Sequence, residues 1–247
     1  MTALLMLLMR GVQYAASLLW SAIFISSVHA SNLQVSPVLI ELQAQQRADG
    51  LWLSNSGNAV LTAQLRVFRW SQRDGADVLL PTADLVTSPA MVSIAPGKPQ
   101  LVRIVRVNNA LVASAQEQSF RIILDEIPDL AGARGVQFAL RYSIPVFVAA
   151  TGGTVGPALD WGIRKAGNEL LLRVTNTGNE RAQITDVSFK SNNGRTTVVT
   201  KGLYGYALAK NTREWELKQY GSVFAGGGVL SAKVNQSTVN IHLPAVP

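Results

Sequence analysis

Apolar and polar side chains alternate, residue by residue, along much of this chain. The clearest example is the segment 136–148, VQFALRYSIPVFV, in which one side of an extended chain carries Val136, Phe138, Leu140 and Tyr142. Alternation with a period of two is typical of a β-strand that buries one face and exposes the other. The pattern therefore predicts a β-strand in this segment.

A proline follows in the same run, at Pro145. Because proline has no N–H to donate to a neighbouring strand, it is confined to edge strands or ends the pairing. A long edge strand that carries Phe138 and Leu140 would be prone to aggregation, and native proteins usually block such edges. Two interpretations follow: the apolar side chains belong to the core of their own domain, or they are kept exposed for a partner.

One pattern of strand, turn and strand occurs twice. The first copy turns at residues 55–58, NSGN, and the second at residues 176–179, NTGN. Gly and Asn tolerate positive φ, so each tetrapeptide is predicted to form a turn between paired strands. Many other short β-rich runs lie between turn signals. The predicted fold class is all-β, with two tandem immunoglobulin-like β-sandwich domains.

The domain boundary is predicted where Gly, Thr and Pro cluster, in residues 150–159. The N-terminal immunoglobulin-like domain is then expected at residues 31–150 and the C-terminal one at residues 157–247. Residues 108–118 are the best candidate for a helix or a loop.

The first thirty residues differ from the rest of the chain. Residues 1–30 contain a single charge, Arg10, then an apolar run, and end in Val28-His29-Ala30. Val28 and Ala30 are small residues at the −3 and −1 positions before Ser31, a pattern typical of a signal peptide that is cleaved on export. A retained membrane anchor is the alternative interpretation.

Composition narrows the function. The chain has no cysteine, which excludes thiol catalysis and cysteine metal sites. Its net charge of +7 is carried by dispersed Lys and Arg residues without a nucleic-acid-binding motif, so a surface that suits an anionic group is favoured over nucleic-acid binding.

No catalytic constellation is evident in the sequence. Beyond the predicted signal peptide, His242 is the one remaining histidine. The adjacent Asp125 and Glu126 would point to opposite faces of a strand and cannot form a paired-carboxylate site directly. We therefore expect a binding protein, not an enzyme, with no catalytic residues, no metal site, no cofactor and no small-molecule substrate.

Several segments resemble one family. FRIILDEIP at 120–128, followed by the alternating segment 136–148, resembles the paired strands of the periplasmic pilus-assembly chaperones, the PapD-like group. The segments 90–106 and 33–43 are similar to that family's proline-turn-strand region and first strand. The SIPVF motif, the lack of cysteine and Trp70 in VFRWSQ are most similar to the archaic chaperone–usher branch.

The resemblance implies a function. The two domains would be set at an angle, and the protein would act in the periplasm in fimbrium biogenesis. Its edge strand, about residues 136–144, would complete the sandwich of a pilus subunit, with Val136, Phe138, Leu140 and Tyr142 as the donated side chains. It would then deliver the subunit to an outer-membrane usher. The alternative is a secreted two-domain adhesion or scaffold module, and the free protein is either a monomer or a homodimer that caps the edge.

This chain departs from the family's pattern at the usual anchor for the subunit's C-terminal carboxylate. The positions that hold its Arg and Lys align with Leu39 and Pro145, which cannot bind a carboxylate through their side chains. Because a carboxylate prefers a guanidinium donor, the remaining arginines near the predicted strands become candidates. They are, in order of preference, Arg103, Arg141, Arg121 and Arg106. Glu126 would help to hold the domain angle, as the family's acid does, although the position of that acid's Arg partner aligns with Ala149.

Overall fold

Nearly all of the regular structure consists of β-strands. The computed structural model describes residues 32–107, 114–128, 138–151 and 155–246. The one helix among these residues is α1, Gly221–Ala225. The described residues contain no helix with the length and hydropathy that a bilayer crossing requires. The predicted signal peptide, residues 1–30, lies outside the described residues.

The N-terminal part is a sandwich of two sheets. The first sheet contains β1 (Leu33–Ser36), β3 (Ala48–Asn55), β8 (Pro99–Arg106) and β6 (Leu85–Ser88), in that spatial order. The second sheet follows the order β2 (Ile40–Leu42), β10 (Arg141–Val148), β9 (Gln118–Ile127), β4 (Leu61–Arg73) and β5 (Ala76–Pro81), and β7 (Met91–Ile94) also pairs with β4. The alternating side chains of both sheets meet in one apolar core.

The C-terminal part repeats this architecture. Its smaller sheet has the order β11 (Leu159–Ala166), β12 (Glu169–Asn176) and β16 (Thr212–Glu216). Its larger sheet has the order β14 (Thr196–Val198), β13 (Ala182–Ser191), β17 (Gly228–Val234) and β18 (Ser237–Leu243), with β15 (Leu203–Ala207) also paired to β13. A second apolar core, which includes Phe189 and the helix residue Phe224, lies within this part.

The two repeated turns have the same hydrogen bonds. Asn55 donates from Nδ2 to the carbonyls of Ala59 and Ile94, at 2.7 and 2.9 Å, and Asn176 donates to Glu180 and Ala207, at 2.7 and 3.0 Å. In both turns the amide oxygen accepts from the N–H two residues on, at 2.9 Å. These bonds satisfy both polar ends of each asparagine side chain.

The turns are as predicted, but the pairing across them is not. β3 and β4 belong to different sheets, and so do β12 and β13. Each turn therefore carries the chain from one sheet of a sandwich to the facing one. The buried asparagine, at the end of the strand that the chain leaves, binds a carbonyl of the facing sheet: Ile94 of β7 for Asn55 and Ala207 of β15 for Asn176.

The candidate for a helix or loop at 108–118 is described in part. Residues 108–113 lie outside the described residues, 114–117 have no regular structure, and β9 begins at Gln118.

Candidate functional site

One edge of the larger N-terminal sheet is open beside β10. β9 pairs with β10 along all of Arg141–Val148, whereas β2 pairs only with its last three residues, 146–148. Within the described part of the chain, no strand covers residues 141–145 on the β2 side. The structure has a strand at this edge, but its bounds differ from the predicted 136–144. β10 begins at Arg141 and runs through Pro145 to Val148, and residues 138–140 before it have no regular structure.

The position of Pro145 explains why β10 can run through it. The Leu140 carbonyl accepts from Glu126 of β9 at 2.9 Å, whereas the Ala149 N–H donates to Leu42, beyond the end of β2, at 2.9 Å. Backbone groups of successive residues in an antiparallel pair point to opposite sides, so odd-numbered residues of β10 point away from β9. The missing N–H of Pro145 thus costs no hydrogen bond to β9.

Two exposed apolar side chains immediately precede β10 in the chain. Phe138 is 70% exposed and Leu140 is 36% exposed, immediately before β10 begins. Val136, also expected on this face, lies outside the described residues.

Tyr142 differs from these two residues. It packs against the N-terminal core, and its hydroxyl donates to the Leu33 carbonyl at 2.7 Å. These contacts hold the ring and hydroxyl of Tyr142 within its own domain, and they favour Phe138 and Leu140 over Tyr142 as donated side chains.

Arg121 is the candidate anchor on β9, the strand that pairs with β10. It is the register partner of Pro145, and its Nη1 donates to the Ser143 carbonyl at 3.3 Å. The guanidinium carbon lies 3.8 Å from the centroid of the Trp70 ring. No described carboxylate forms an ion pair with it. Burial lowers the pKa of Arg121, but a guanidinium remains charged in proteins.

Arg103 does not lie where the sequence indicated. It is an exposed residue of β8, where its register partners are Gly50 of β3 and Ser88 of β6. These strands form the smaller N-terminal sheet, so the expectation that Arg103 lies beside the edge strand is wrong. Alternation shows which residues of a strand face the core, but not which of the two sheets the strand joins.

The other two candidate arginines have partners in their own domain. Arg106 is 8% exposed, and its Nη1 donates to the carbonyls of Ala44 and Gln46, at 2.6 and 2.9 Å, which holds the loop before β3. Arg141 forms an ion pair with Asp125 on the outer face of β9. The hydrogen bond from Arg141 holds the pKa of the Asp125 carboxyl below its usual value, and Arg66 adds to this effect.

An aromatic cluster joins the two domains at the other end of β10. We call it the interdomain cluster, and it contains Trp70, Phe147, Tyr206 and Leu208. The Tyr206 ring centroid lies 5.5 Å from the centroids of both Trp70 and Phe147. Leu39, at the position of the family's anchoring Arg, packs against this cluster. The position is therefore filled by an apolar contact.

Arg181 forms an ionic connection between the domains. Its guanidinium contacts the carboxylates of Glu117 and Glu41, and its central carbon lies 3.9 Å from the Phe147 ring centroid. Glu117 is almost fully buried, with 5% of its side chain exposed. Burial raises the pKa of the Glu117 carboxyl, and the charge of Arg181 opposes that rise.

The family resemblance implied that Glu126 would help to hold the domain angle, but Glu126 does not lie at this contact between the domains. Glu126 is near the far end of β9 from Glu117, and its Oε2 accepts from the Leu140 N–H at 3.1 Å. At about 3.3 Å per residue, the two acids are about 30 Å apart along the strand. Sequence reasoning missed Glu117 because it precedes β9 in a polar segment without alternation.

No group of three or more His, Asp or Glu residues that could hold a metal ion occurs within the described ranges. The arrangement instead combines an open backbone edge, two exposed apolar side chains and a desolvated guanidinium, which are elements of peptide binding.

Comparison with known proteins agrees with this reading. Residues 32–152 match the model of the pili and flagellar-assembly chaperone family, PapD N-terminal domain. No curated protein matches the chain.

Solved structures of chaperones match over most of the chain. The CsuC–CsuE chaperone–tip subunit complex from the archaic Csu pili of Acinetobacter baumannii matches with 21% identity and a TM-score of 0.67, covering 87% of this chain and 99% of that chain. The YadV chaperone matches with 17% identity and a TM-score of 0.61, covering 86% and 100%. The Salmonella enterica complex of SafA pilin with the SafB chaperone matches with 13% identity and a TM-score of 0.59, covering 86% and 94%.

These matches confirm the predicted fold of two tandem immunoglobulin-like domains set at an angle. The predicted likeness to the archaic branch stays a prediction, because the match to the CsuC complex at 21% identity shows the fold alone. Through residues 32–152, the chain contains the PapD N-terminal domain of the pili and flagellar-assembly chaperone family.

Proposed function

We propose that this protein is a periplasmic chaperone that binds and caps pilus subunits by donating the open edge of β10. The observation that carries the proposal is the free edge at 141–145 together with the exposed Phe138 and Leu140 that precede it. A subunit with an incomplete sandwich would pair its backbone with this edge. Phe138 and Leu140 would enter pockets in the subunit's core.

Strand addition accounts for both features of this edge. In such complexes the backbone supplies affinity and alternate side chains supply specificity, and chaperone–pilin pairs are an established example. Each fully buried side chain contributes about 1.5–3 kcal/mol, before the cost of ordering the two chains. The proposal therefore assigns the donated positions to Phe138 and Leu140, and to Val136 from its alternation.

Arg121 is the proposed anchor for the subunit's C-terminal carboxylate. It is a partly desolvated cation beside the open edge, and it is stacked on Trp70 with its Nη1 directed to the Ser143 carbonyl. Hydrogen bonds between a guanidinium and a carboxylate are among the strong ones in proteins. The other three arginines are less suited to this role. Arg103 lies in the other sheet, Arg106 is buried in a loop contact, and Arg141 forms an ion pair with Asp125.

The family match also suggests the partners and the location of the protein in the cell. The complexes matched by this chain include a chaperone with a pilin and a chaperone with a tip subunit. We therefore propose pilus subunits as partners, the periplasm as the location, and delivery to an outer-membrane usher as the next step. A homodimer that covers the same edge would be the resting form of a chaperone without cargo.

The test replaces both exposed donor side chains with charges. Phe138→Asp with Leu140→Asp is expected to leave the fold intact and to abolish capture of the subunit made in the same host. Native mass analysis of tagged protein from the periplasm measures this as loss of a one-to-one complex. Val198→Asp with Leu203→Asp, which changes two exposed apolar residues of the C-terminal domain, is the matched control.

The outcomes separate chaperone from scaffold. A secreted scaffold would need Phe138 and Leu140 for its own core, and the double variant would then fail to fold. A wild-type protein that carries no subunit while pili are being made would overturn the proposal.

A further inference from the structure

Gln72 is a buried amide at the junction of the two domains. It lies on β4 two residues after Trp70, on the same face of the sheet, and it is 7% exposed. Its Nε2 donates to the Tyr206 carbonyl at 2.7 Å, and its Oε1 accepts from the Leu208 N–H at 3.0 Å. Nε2 also donates to Asp77 at 2.9 Å, so both N–H groups and the oxygen are used.

The Gln72 side chain makes the same two hydrogen bonds that the backbone of a strand residue makes to a neighbouring strand. A residue at a strand edge offers one C=O and one N–H to its neighbour, and Gln72 offers the same two groups from its side chain. The groups that it binds are on residues 206 and 208, the end of β15 and the residue that follows it. Gln72 thus supplies one rung of a β-ladder between the domains, and two hydrogen bonds fix its register.

Gln72 also binds the backbone of Tyr206, a residue whose ring lies at the interface between the domains. Once the carbonyl of Tyr206 is held, its ring packs 5.5 Å from Trp70, centroid to centroid, and 6.0 Å from the guanidinium carbon of Arg121. Tyr206 is therefore the C-terminal domain's aromatic neighbour of Arg121.

We propose that Gln72 is the positioning residue that sets the register between the domains and so fixes the aromatic surroundings of Arg121. Its importance for subunit binding rests on the proposed function, but the domain register does not.

A second contact keeps the domains together without Gln72. The turn between β4 and β5 reaches the edge of β16, where the Glu214 N–H donates to the Gly75 carbonyl at 2.9 Å. Gly75 has φ of 76°, and a Cβ there would lie 2.8 Å from the Glu214 side chain. Loss of the Gln72 amide is therefore expected to loosen the register and not to separate the domains.

The experiment measures the interdomain distance directly. The chain has no cysteine, so spin labels at Lys98→Cys and Lys201→Cys, one exposed site in each domain, give a single distance distribution by pulsed electron resonance. Gln72→Met keeps the side-chain length and removes both polar groups. Gln100→Met, in the smaller N-terminal sheet, is the matched control.

We expect a narrow distribution for the wild type and for Gln100→Met, and a broadened or shifted one for Gln72→Met. Subunit capture by Gln72→Met is expected to fall about tenfold, with each domain still folded by circular dichroism. An unchanged distribution in Gln72→Met overturns the proposal, and so does a changed one with unaltered capture. If the wild type captures no subunit, the proposed function fails, while the distance measurement still decides whether Gln72 sets the register.

Discussion

The guanidinium carbon of Arg121 lies 3.8 Å from the centroid of the Trp70 ring. This distance is well within the range of a cation–π contact. The stack holds the planar cation in one orientation, and Trp70 is itself held by the interdomain cluster. A side chain at the proposed anchor is thus oriented before any carboxylate arrives.

Replacing Arg121 with lysine is expected to weaken subunit binding. Lysine keeps the charge but loses the planar, bidentate donor geometry. Loss of a hydrogen bond to a charged group costs about 1.5–3 kcal/mol, so the Kd should rise about 10- to 100-fold. Competition between tagged and untagged chaperone for the purified subunit measures it. Arg103→Lys is the control, and equal effects of the two changes would reject Arg121 as the anchor.

Tyr142→Phe should affect stability and leave binding unchanged. The variant removes the hydrogen bond to the Leu33 carbonyl and keeps the ring. We expect the free energy of unfolding to fall by about 1 kcal/mol in a urea titration. Lost subunit capture at normal stability would instead mean that Tyr142 is donated to the partner.

The ion pair of Arg141 with Asp125 has a defined pH dependence. Because the folded pKa of Asp125 is below its usual value, the stabilisation is complete above that usual value and is lost as the pH falls through the folded pKa. Arg141→Gln should raise the pKa of Asp125, since Arg141 is the largest cause of the shift. A carboxyl-carbon NMR titration measures this. An unshifted pKa would mean that Arg141 is free to bind a partner.

The two acids that contact Arg181 should contribute unequally. Glu117 has 5% of its side chain exposed and Glu41 has 56%. Glu117→Gln leaves Arg181 with a solvent-screened partner only, and breaking a buried pair costs about 3 kcal/mol. Glu41→Gln should cost less than about 1 kcal/mol, as for exposed pairs. Denaturant unfolding of both variants gives the comparison, and similar losses would show that burial does not set the contribution.

The sequence predicted the elements whose signal is local. Alternation and Pro145 indicated an edge strand, and the Asn-x-Gly-Asn repeats indicated the two turns. Contacts between residues that are far apart in the sequence had no such signal. Nothing in the pattern around Arg103 shows that β8 joins the smaller sheet, and nothing around Glu117 marks it as a domain contact. Alternation also places Tyr142 and Leu140 on the same face, and it cannot show that Tyr142 packs against its own core whereas Leu140 is exposed.

The interdomain cluster has a consequence for the order in which the protein folds. Domains generally fold as units, the N-terminal one first as a chain emerges. Trp70 and Phe147 belong to that first domain, whereas Tyr206 and Leu208, which cover them, come much later in the chain. Until the second domain arrives, the first presents an exposed aromatic face. The N-terminal domain therefore passes, during synthesis, through a stage in which Trp70 and Phe147 lack the side chains that later cover them.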